Sequence, residues 1–207
     1  MKKVLVVVFV LAMGSAFAQT GSWYVGTSAM TPFQGDDAVF TTGFLMENSP
    51  GDVTKTTFGI APEVGYFVTD KLSVGLGVGF NLISDKAGKD ADALKTTAFG
   101  VNPYARYFLI SAGNFSFYVQ GGLSYVSSTA EYIAGVDADG KAKIEKADAI
   151  NTLEIGFNPG IAYKLGDKFG LTASFGKLYY KDLGEDTNEL GLKIDASSLK
   201  LGLHYSF

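Results

Sequence analysis

The chain of 207 residues is apolar and lightly charged, with 47% hydrophobic residues, 18% charged residues and a formal net charge of −4. Disordered chains combine low hydrophobicity with high charge, nucleic-acid-binding domains are usually basic, and small disulfide scaffolds need cysteines, of which this chain has none. The composition argues against all three classes, and we expect no nucleic-acid partner.

Residues 1–18 have the three parts of an export signal. Two lysines precede an apolar run at 4–13, and the segment Gly14–Ala18 ends in a small-x-small cleavage site. The alternative, an N-terminal membrane anchor, fits less well because a spanning helix needs roughly 20 apolar residues. The sequence therefore predicts a signal peptide at 1–18 and one domain at 19–207. That domain has no other long apolar run, so it would enter a membrane as a closed barrel.

The domain alternates apolar residues with small or polar ones, a period of two that places successive side chains on opposite faces of a β-strand. In 72–82, for example, one face carries Leu, Val and Phe, and the other carries Ser, Gly and Asn. The alternation predicts eight strands, at about 22–30, 54–68, 72–82, 95–110, 115–128, 149–165, 169–180 and 199–207.

A repeat supports this count, because the pattern Gly-x-x-Pro-x-x-x-Tyr occurs at 59–66, 100–107 and 156–163. Each copy precedes a short turn and another alternating strand. Proline removes a donor from a strand ladder, so its shared position predicts a bulge or a register feature. The opposite connections are long and polar, near 31–53, 84–94, 129–148 and 181–195. Short turns at one end and long loops at the other are typical of bacterial outer-membrane barrels.

Alternation is also typical of soluble lipocalin-like barrels, whose apolar face lines the interior. Here the polar face is mostly Gly, Ser, Ala and Asn, which suits the narrow lumen of an eight-stranded barrel, so the apolar face is predicted to contact lipid. Aromatic girdles are expected at both edges of that face. They are predicted to contain Trp23, Tyr66, Tyr107, Phe115, Tyr163 and Phe169 at the short-turn end, and Phe80, Phe99, Tyr125 and Tyr179 at the other.

With these features, the chain resembles the small eight-stranded outer-membrane barrels of Gram-negative bacteria, the porin family of outer membrane protein beta-barrel domains. The C-terminal pattern Lys200-x-Gly202-x-x-Tyr205-x-Phe207 resembles the signal that the barrel assembly machinery reads in this family. The Ala-Phe-Ala cleavage site before Gln19 resembles exports of the Bacteroidota. The resemblance implies an all-β, antiparallel up-and-down transmembrane barrel in the cell outer membrane, surrounded by lipid and delivered by periplasmic chaperones and the assembly machinery. It implies no particular activity.

Six ionisable residues face the lumen by strand parity: Glu63, Arg106, Glu154, Lys164, Lys200 and His204. Charges in a packed interior of low polarity must pair, so the sequence predicts an interior salt-bridge network. The alternative is a charged constriction in a narrow pore, although channels generally need more strands.

The sequence predicts no enzymatic activity, no cofactor and no metal site. The single histidine, His204, lies three residues from the chain end, where it could not serve a Ser-His-acid site facing the outer leaflet. One histidine and no cysteine leave only carboxylates as metal ligands.

The third long loop is the strongest candidate for an interaction site. Residues 130–136 and 141–146 flank the hairpin-type turn Asp137-Ala138-Asp139-Gly140, so the fifth and sixth strands are predicted to extend beyond the membrane. An exposed strand edge can add a strand from an extracellular protein, with a solvated loop as the alternative. The predicted function is a non-enzymatic structural or surface-interaction role, in adhesion or envelope maintenance, with a candidate partner at 129–148. The alternative is a narrow porin-like channel for small or apolar solutes.

Overall fold

The computed structural model describes residues 20–30, 42–50, 53–88, 91–136, 141–184, 187–194 and 199–207. The predicted signal peptide at 1–18 and the predicted turn at 137–140 lie outside the described residues. Within the described ranges, no helix is long and apolar enough to cross a membrane.

These ranges form antiparallel strands connected by turns and longer loops. In chain order the strands are β1 (Trp23–Met30), β2 (Gly43–Ser49), β3 (Val53–Ile60), β4 (Pro62–Thr69), β5 (Leu72–Ala87), β6 (Leu94–Ala112), β7 (Phe115–Val136), β8 (Ala142–Lys146), β9 (Ile150–Lys164), β10 (Phe169–Ser174), β11 (Lys177–Gly184), β12 (Thr187–Lys193) and β13 (Lys200–Ser206).

Eight of the described strands form a closed antiparallel ring, which confirms the predicted barrel. In the order β1, β4, β5, β6, β7, β9, β10 and β13, each strand pairs with the next. The ring closes where β13 pairs with β1, from Tyr24 opposite Ser206 to Thr27 opposite Leu203. Closure leaves this part of the sheet without a free edge.

The other strands extend the wall toward the long loops. β3 and β4 both pair with β5, so they occupy one position in the wall, one after the other. β10 and β11 share a position in the same way, because both pair with β9. β2 pairs with β3, and β12 pairs with β11. The predicted loops at 31–53 and 181–195 are therefore wrong in part, because they contain β2 and β12. β2 has three consecutive apolar residues and no alternation, and β12 alternates only over its last four residues, so neither strand shows a clear period of two. β5 and β6 also run into the predicted loop at 84–94.

The repeated prolines mark interruptions of the ladder toward one neighbour. Pro103 pairs with Leu76 on β5, while the ladder from β6 to β7 is interrupted between Val101 and Tyr104 and resumes in the same register. The predicted bulge is therefore wrong at this position. Proline has no N–H, so an interruption on one side accommodates it without a change of register.

The other two prolines also lie at such interruptions. Pro62 pairs with Thr27 on β1, while the ladder to β5 is interrupted between Ile60 and Glu63 and resumes in the same register. On β9, Pro159 lies between the ladder to β10, which ends at Gly160, and the ladder to β11, which begins at Phe157. At this position the predicted register change is present, but the extra residue lies between β10 and β11 and not on β9.

That extra residue lies at Phe175–Gly176, between β10 and β11, and it reverses the alternation of the predicted strand at 169–180. Gly176 has a φ of +72°, which favours glycine. Before this point Phe169 and Leu171 face outward, whereas after it Tyr180 is exposed and Tyr179 packs on Gly191 of β12. Tyr179 therefore faces inward, and its predicted place in the outer girdle is wrong.

The remaining girdle residues lie on the outer surface as predicted. At the short-turn end, aromatic rings contact each other across strands, with centroid distances of 5.0 Å for Trp23 and Tyr66 and 4.6 Å for Phe115 and Tyr163. Large apolar side chains are exposed on this face of every ring strand, so the apolar face points out of the barrel. The buried core lies inside the ring and consists of Tyr24, Phe67, Phe108, Tyr118 and Ala162.

Candidate functional site in the barrel lumen

A buried charge cluster occupies the lumen, and we call it the central cluster: Glu63 on β4, Arg106 on β6 and His204 on β13. The Arg106 Nη2 atom lies 3.5 Å from Glu63 Oε1, and the same oxygen is hydrogen-bonded to His204 Nε2. The three residues are only 4%, 3% and 7% exposed. One carboxylate therefore joins two basic groups, and the three residues come from three different strands.

The Arg106 guanidinium is held in a fixed position by further contacts. Its Nε and Nη2 atoms both donate hydrogen bonds to Gln120 Oε1, at 3.0 and 2.8 Å. Its Cζ atom lies 4.9, 5.3 and 5.9 Å from the ring centroids of Tyr118, Tyr104 and Tyr24. Desolvated cation–π contacts of this kind are worth about 2 kcal/mol or more. The cation is thus bonded or stacked on several sides.

The surrounding tyrosines fit because glycines on adjacent strands make room for them. Tyr24 lies over Gly65, Tyr104 over Gly75 and Tyr118 over Gly160. A Cβ atom at Gly75 would lie 2.5 Å from the Tyr104 hydroxyl oxygen, a distance that requires something to move. Tyr24 and Tyr104 are also linked through their hydroxyl oxygens, at 2.9 Å. Bulky side chains therefore fill part of a lumen that the sequence predicted to hold mainly small residues.

Glu154 does not join the central cluster. It accepts a hydrogen bond from Lys177 Nζ at 2.7 Å, and both side chains are largely buried. The Lys177 ammonium also lies 4.7 Å from the ring centroid of Tyr179, whose hydroxyl bonds Glu189 on β12. Sequence reasoning missed Lys177 because unbroken alternation from 169 would point it outward. The extra residue at Phe175–Gly176 turns it inward.

Lys164 and Lys200 line two separate cavities. Lys164 lines a cavity of about 440 Å³ at the short-turn end, and Lys200 lines one of about 70 Å³ on the long-loop side. Arg106 and Thr172 line both cavities, so the central cluster lies between them. Of the six predicted inward residues, the structure brings three together, pairs a fourth with Lys177 and places the last two on cavity walls.

Sequence reasoning also missed Gln120, Tyr104 and Tyr118. Strand parity could have found all three, because they alternate with outward residues such as Tyr107 and Val119. They were missed because the inward face was expected to carry mainly small residues. In the part of the chain that the structure describes, no group of three or more His, Cys, Asp or Glu residues is placed to hold a metal ion.

The C-terminal pattern lies on the strand that closes the ring. Lys200 faces the lumen and Gly202 is buried, whereas Tyr205 faces outward between Phe169 and Phe207, at centroid distances of 5.1 and 6.3 Å. The pattern therefore presents aromatic rings outside the barrel and a backbone ladder to both neighbouring strands.

Comparison with solved structures gives several similar chains. The N-terminal beta-barrel domain of Pseudomonas aeruginosa OprF is 16% identical, covers 91% of this chain and 98% of its own, and has a TM-score of 0.41. Neisserial surface protein A is 16% identical, with coverages of 89% and 92% and a TM-score of 0.39. E. coli outer membrane protein W is 15% identical, with coverages of 92% and 100% and a TM-score of 0.40. No curated protein matches the chain.

The family comparison covers nearly the whole sequence. The model for the outer membrane protein beta-barrel domain matches residues 4–207. This match agrees with the closed antiparallel ring and with the apolar surface around it. The chain therefore belongs to the family of outer membrane protein beta-barrel domains, and it is located in the cell outer membrane in contact with lipid.

Proposed function

We propose that this protein has a non-enzymatic structural or surface-interaction role in the outer membrane, with a closed lumen and with function carried at its long-loop end. The observation that carries this proposal is the central cluster. Arg106 is bonded to Glu63 and Gln120 and stacked among tyrosines, between the two cavities. An eight-stranded barrel has little more interior space than its side chains fill, which supports a lumen without an open path.

The hairpin of β7 and β8 supports a role in surface interaction. The ladder from β7 to β6 ends at Ala130, and the ladder from β7 to β9 ends at Ser128. Beyond these points, residues 131–136 pair only with β8 among the described residues. The Tyr132 and Ile133 side chains are exposed. The second edge of β8 is a place where a strand of an extracellular protein can add by backbone hydrogen bonds.

Conductance in planar bilayers tests the closed lumen. We expect no discrete channels from the wild-type barrel and measurable conductance from the double variant Glu63→Ala with Arg106→Ala. The matched control is the double variant Lys143→Ala with Glu145→Ala, which removes an exposed ion pair of 2.6 Å on the hairpin. This control should show no discrete channels. A wild-type barrel that already conducts, with conductance unchanged in the central-cluster variant, would contradict the proposal.

Deletion of 133–144 tests the interaction role. Cells displaying the full chain and cells displaying the deletion are compared for adhesion to plates coated with extracellular matrix proteins and for sensitivity to detergent. We expect the deletion to reduce adhesion or detergent resistance, while the heat-dependent shift in electrophoresis shows that the barrel still folds. An equally folded deletion variant with no change in either assay would argue against a function in this hairpin.

A narrow channel for small solutes is the second candidate, favoured by the two cavities that meet at Arg106 and Thr172. It requires Arg106 to leave its position among Glu63, Gln120 and the tyrosines. Discrete wild-type conductance that the Glu63→Ala and Arg106→Ala changes increase would support this candidate.

The proposed partners during biogenesis are periplasmic chaperones and the barrel assembly machinery, which would read Lys200, Gly202, Tyr205 and Phe207. The outward rings of Tyr205 and Phe207 support this role, as does the position of β13 as the closing strand. Deletion of Phe207 should lower the heat-shifted fraction in outer membranes, whereas Leu165→Ala, an exposed control, should not. Equal assembly of both variants would exclude Phe207 as part of the signal.

A further inference from the structure

The larger cavity has the size and position of a small-molecule site. Its volume of about 440 Å³ lies within the roughly 300–1,000 Å³ of typical ligand pockets. Its lining includes Ser22, Gly166 and Phe207, which belong to the chain ends and a turn at the short-turn end. That end faces the periplasm in barrels of this kind. A ligand would therefore reach the cavity from the periplasm.

The walls of this cavity combine apolar rings with positive charge. Phe67 and Phe108, which are buried and 5.9 Å apart between ring centroids, form part of one wall. The lining also includes Arg106, His204 and Lys164. Glu63 is bonded to the first two, so the Arg106 charge is already balanced within the central cluster. Lys164 and Lys168 supply additional cations. The Lys168 ammonium lies 5.7 Å from the ring centroid of Tyr205, which faces outward, so Lys164 is the candidate for an anion inside the cavity.

Lys164 is directed into the cavity by its place on β9. It pairs with the buried Gly170 of β10, and its neighbour Tyr163 faces outward in the aromatic girdle. Its side chain is half-buried, and no carboxylate of the described residues forms an ion pair with it. Asp167, on the adjacent turn, is the acidic residue of the cavity lining, and it is exposed. A half-buried cation that lines the same cavity as two aromatic rings favours an anion attached to an apolar body.

We propose that this cavity binds a small organic anion from the periplasm, an aryl or alkyl phosphate or carboxylate, with the anion at Lys164 and the apolar part against Phe67 and Phe108. The site is separate from the hairpin surface, and it does not depend on whether the lumen conducts. Free phosphate shares the anionic group but lacks the apolar body, so the two sources are distinguished by comparing their affinities.

Isothermal titration calorimetry on the barrel in lipid nanodiscs tests the proposal with phenyl phosphate, inorganic phosphate and phenol, after subtraction of the heat from empty nanodiscs. We expect saturable binding of phenyl phosphate, at least tenfold weaker binding of inorganic phosphate and no detectable binding of phenol. No saturable binding of phenyl phosphate would overturn the site. Equal affinity for inorganic phosphate would overturn the apolar half of the proposal.

Charge variants test the role of Lys164. Lys164→Glu should weaken phenyl phosphate binding at least tenfold, whereas Lys164→Arg should retain it. Lys71→Glu is the matched control, because Lys71 is exposed on another turn at the same end and does not line the cavity. The heat-dependent electrophoretic shift verifies that each variant is folded. Unchanged affinity in folded Lys164→Glu, or an equal loss in Lys71→Glu, would overturn the assignment of Lys164.

Discussion

The ring of Tyr118 on β7 lies directly over Gly160 on β9, inside the barrel. A Cβ atom at Gly160 would lie 2.5 Å from the Tyr118 hydroxyl oxygen, and the Ala173 carbonyl oxygen would be 2.8 Å away. The glycine therefore provides the space that a large lumen-facing ring needs. Because the same tyrosine also stacks on Arg106, this contact connects the backbone of the wall to the central cluster.

We expect Gly160→Ala to destabilise the barrel by about 1–3 kcal/mol, the usual cost of overpacking a well-packed interior. The matched control is Gly43→Ala on β2, where an added Cβ atom would meet nothing within 4 Å. Unfolding in urea from lipid vesicles, followed by the heat-dependent electrophoretic shift, measures both changes. Equal stability of the two variants would show that the ring of Tyr118 moves away without cost.

Glu63→Ala should destabilise the protein strongly, because it leaves Arg106 and His204 buried without their carboxylate partner. Removing one member of a buried ion pair typically costs about 3–5 kcal/mol. Glu145→Ala, which breaks the exposed pair with Lys143, should cost less than about 1 kcal/mol. In a double-mutant cycle measured by urea unfolding, Glu63→Ala and Arg106→Ala together should cost less than the sum of the two. Strict additivity would contradict direct coupling.

Tyr179 and Tyr180 should face different environments. The chain has no native cysteine, so Tyr179→Cys and Tyr180→Cys can each carry a single spin label. In bilayers, the label at 180 should collide mainly with oxygen, which concentrates in lipid, and the label at 179 should be shielded from it. Oxygen access greater at 179 than at 180 would show that the extra residue at Phe175–Gly176 does not reverse the alternation.

Trp23, the single tryptophan of the chain, should report the depth of the girdle at the short-turn end. Its side chain is 49% exposed beside Tyr66, and aromatic girdles lie at the membrane interface. Lipids brominated near the glycerol region should quench its fluorescence more strongly than lipids brominated near the chain ends. The opposite order would place this end of the barrel at the bilayer centre.

The small residues of the polar face indicated the direction of the apolar face, and period-two alternation, with short turns at one end and long loops at the other, was sufficient to predict the ring. It could not reveal the extra residue at Phe175–Gly176, because one insertion reverses the faces without removing the pattern, and this placed Tyr179 and Lys177 on the wrong sides. It also contains no information about which strands are neighbours. The meeting of Glu63 with Arg106 and His204 depends on the pairing of β4, β5 and β6 and on the closure of β13 against β1.

The closure of β1 against β13 also has a kinetic consequence. Tyr24 and Ser206, which face each other in this ladder, come from opposite ends of the described chain. Hairpins such as β5–β6 can form from local contacts, but the last ladder must bring together the most distant segments in sequence, and ordering so long a loop is entropically unfavourable. Insertion is therefore expected to be cooperative and slow, and a chain truncated at either end would be left with two open sheet edges in hydrocarbon.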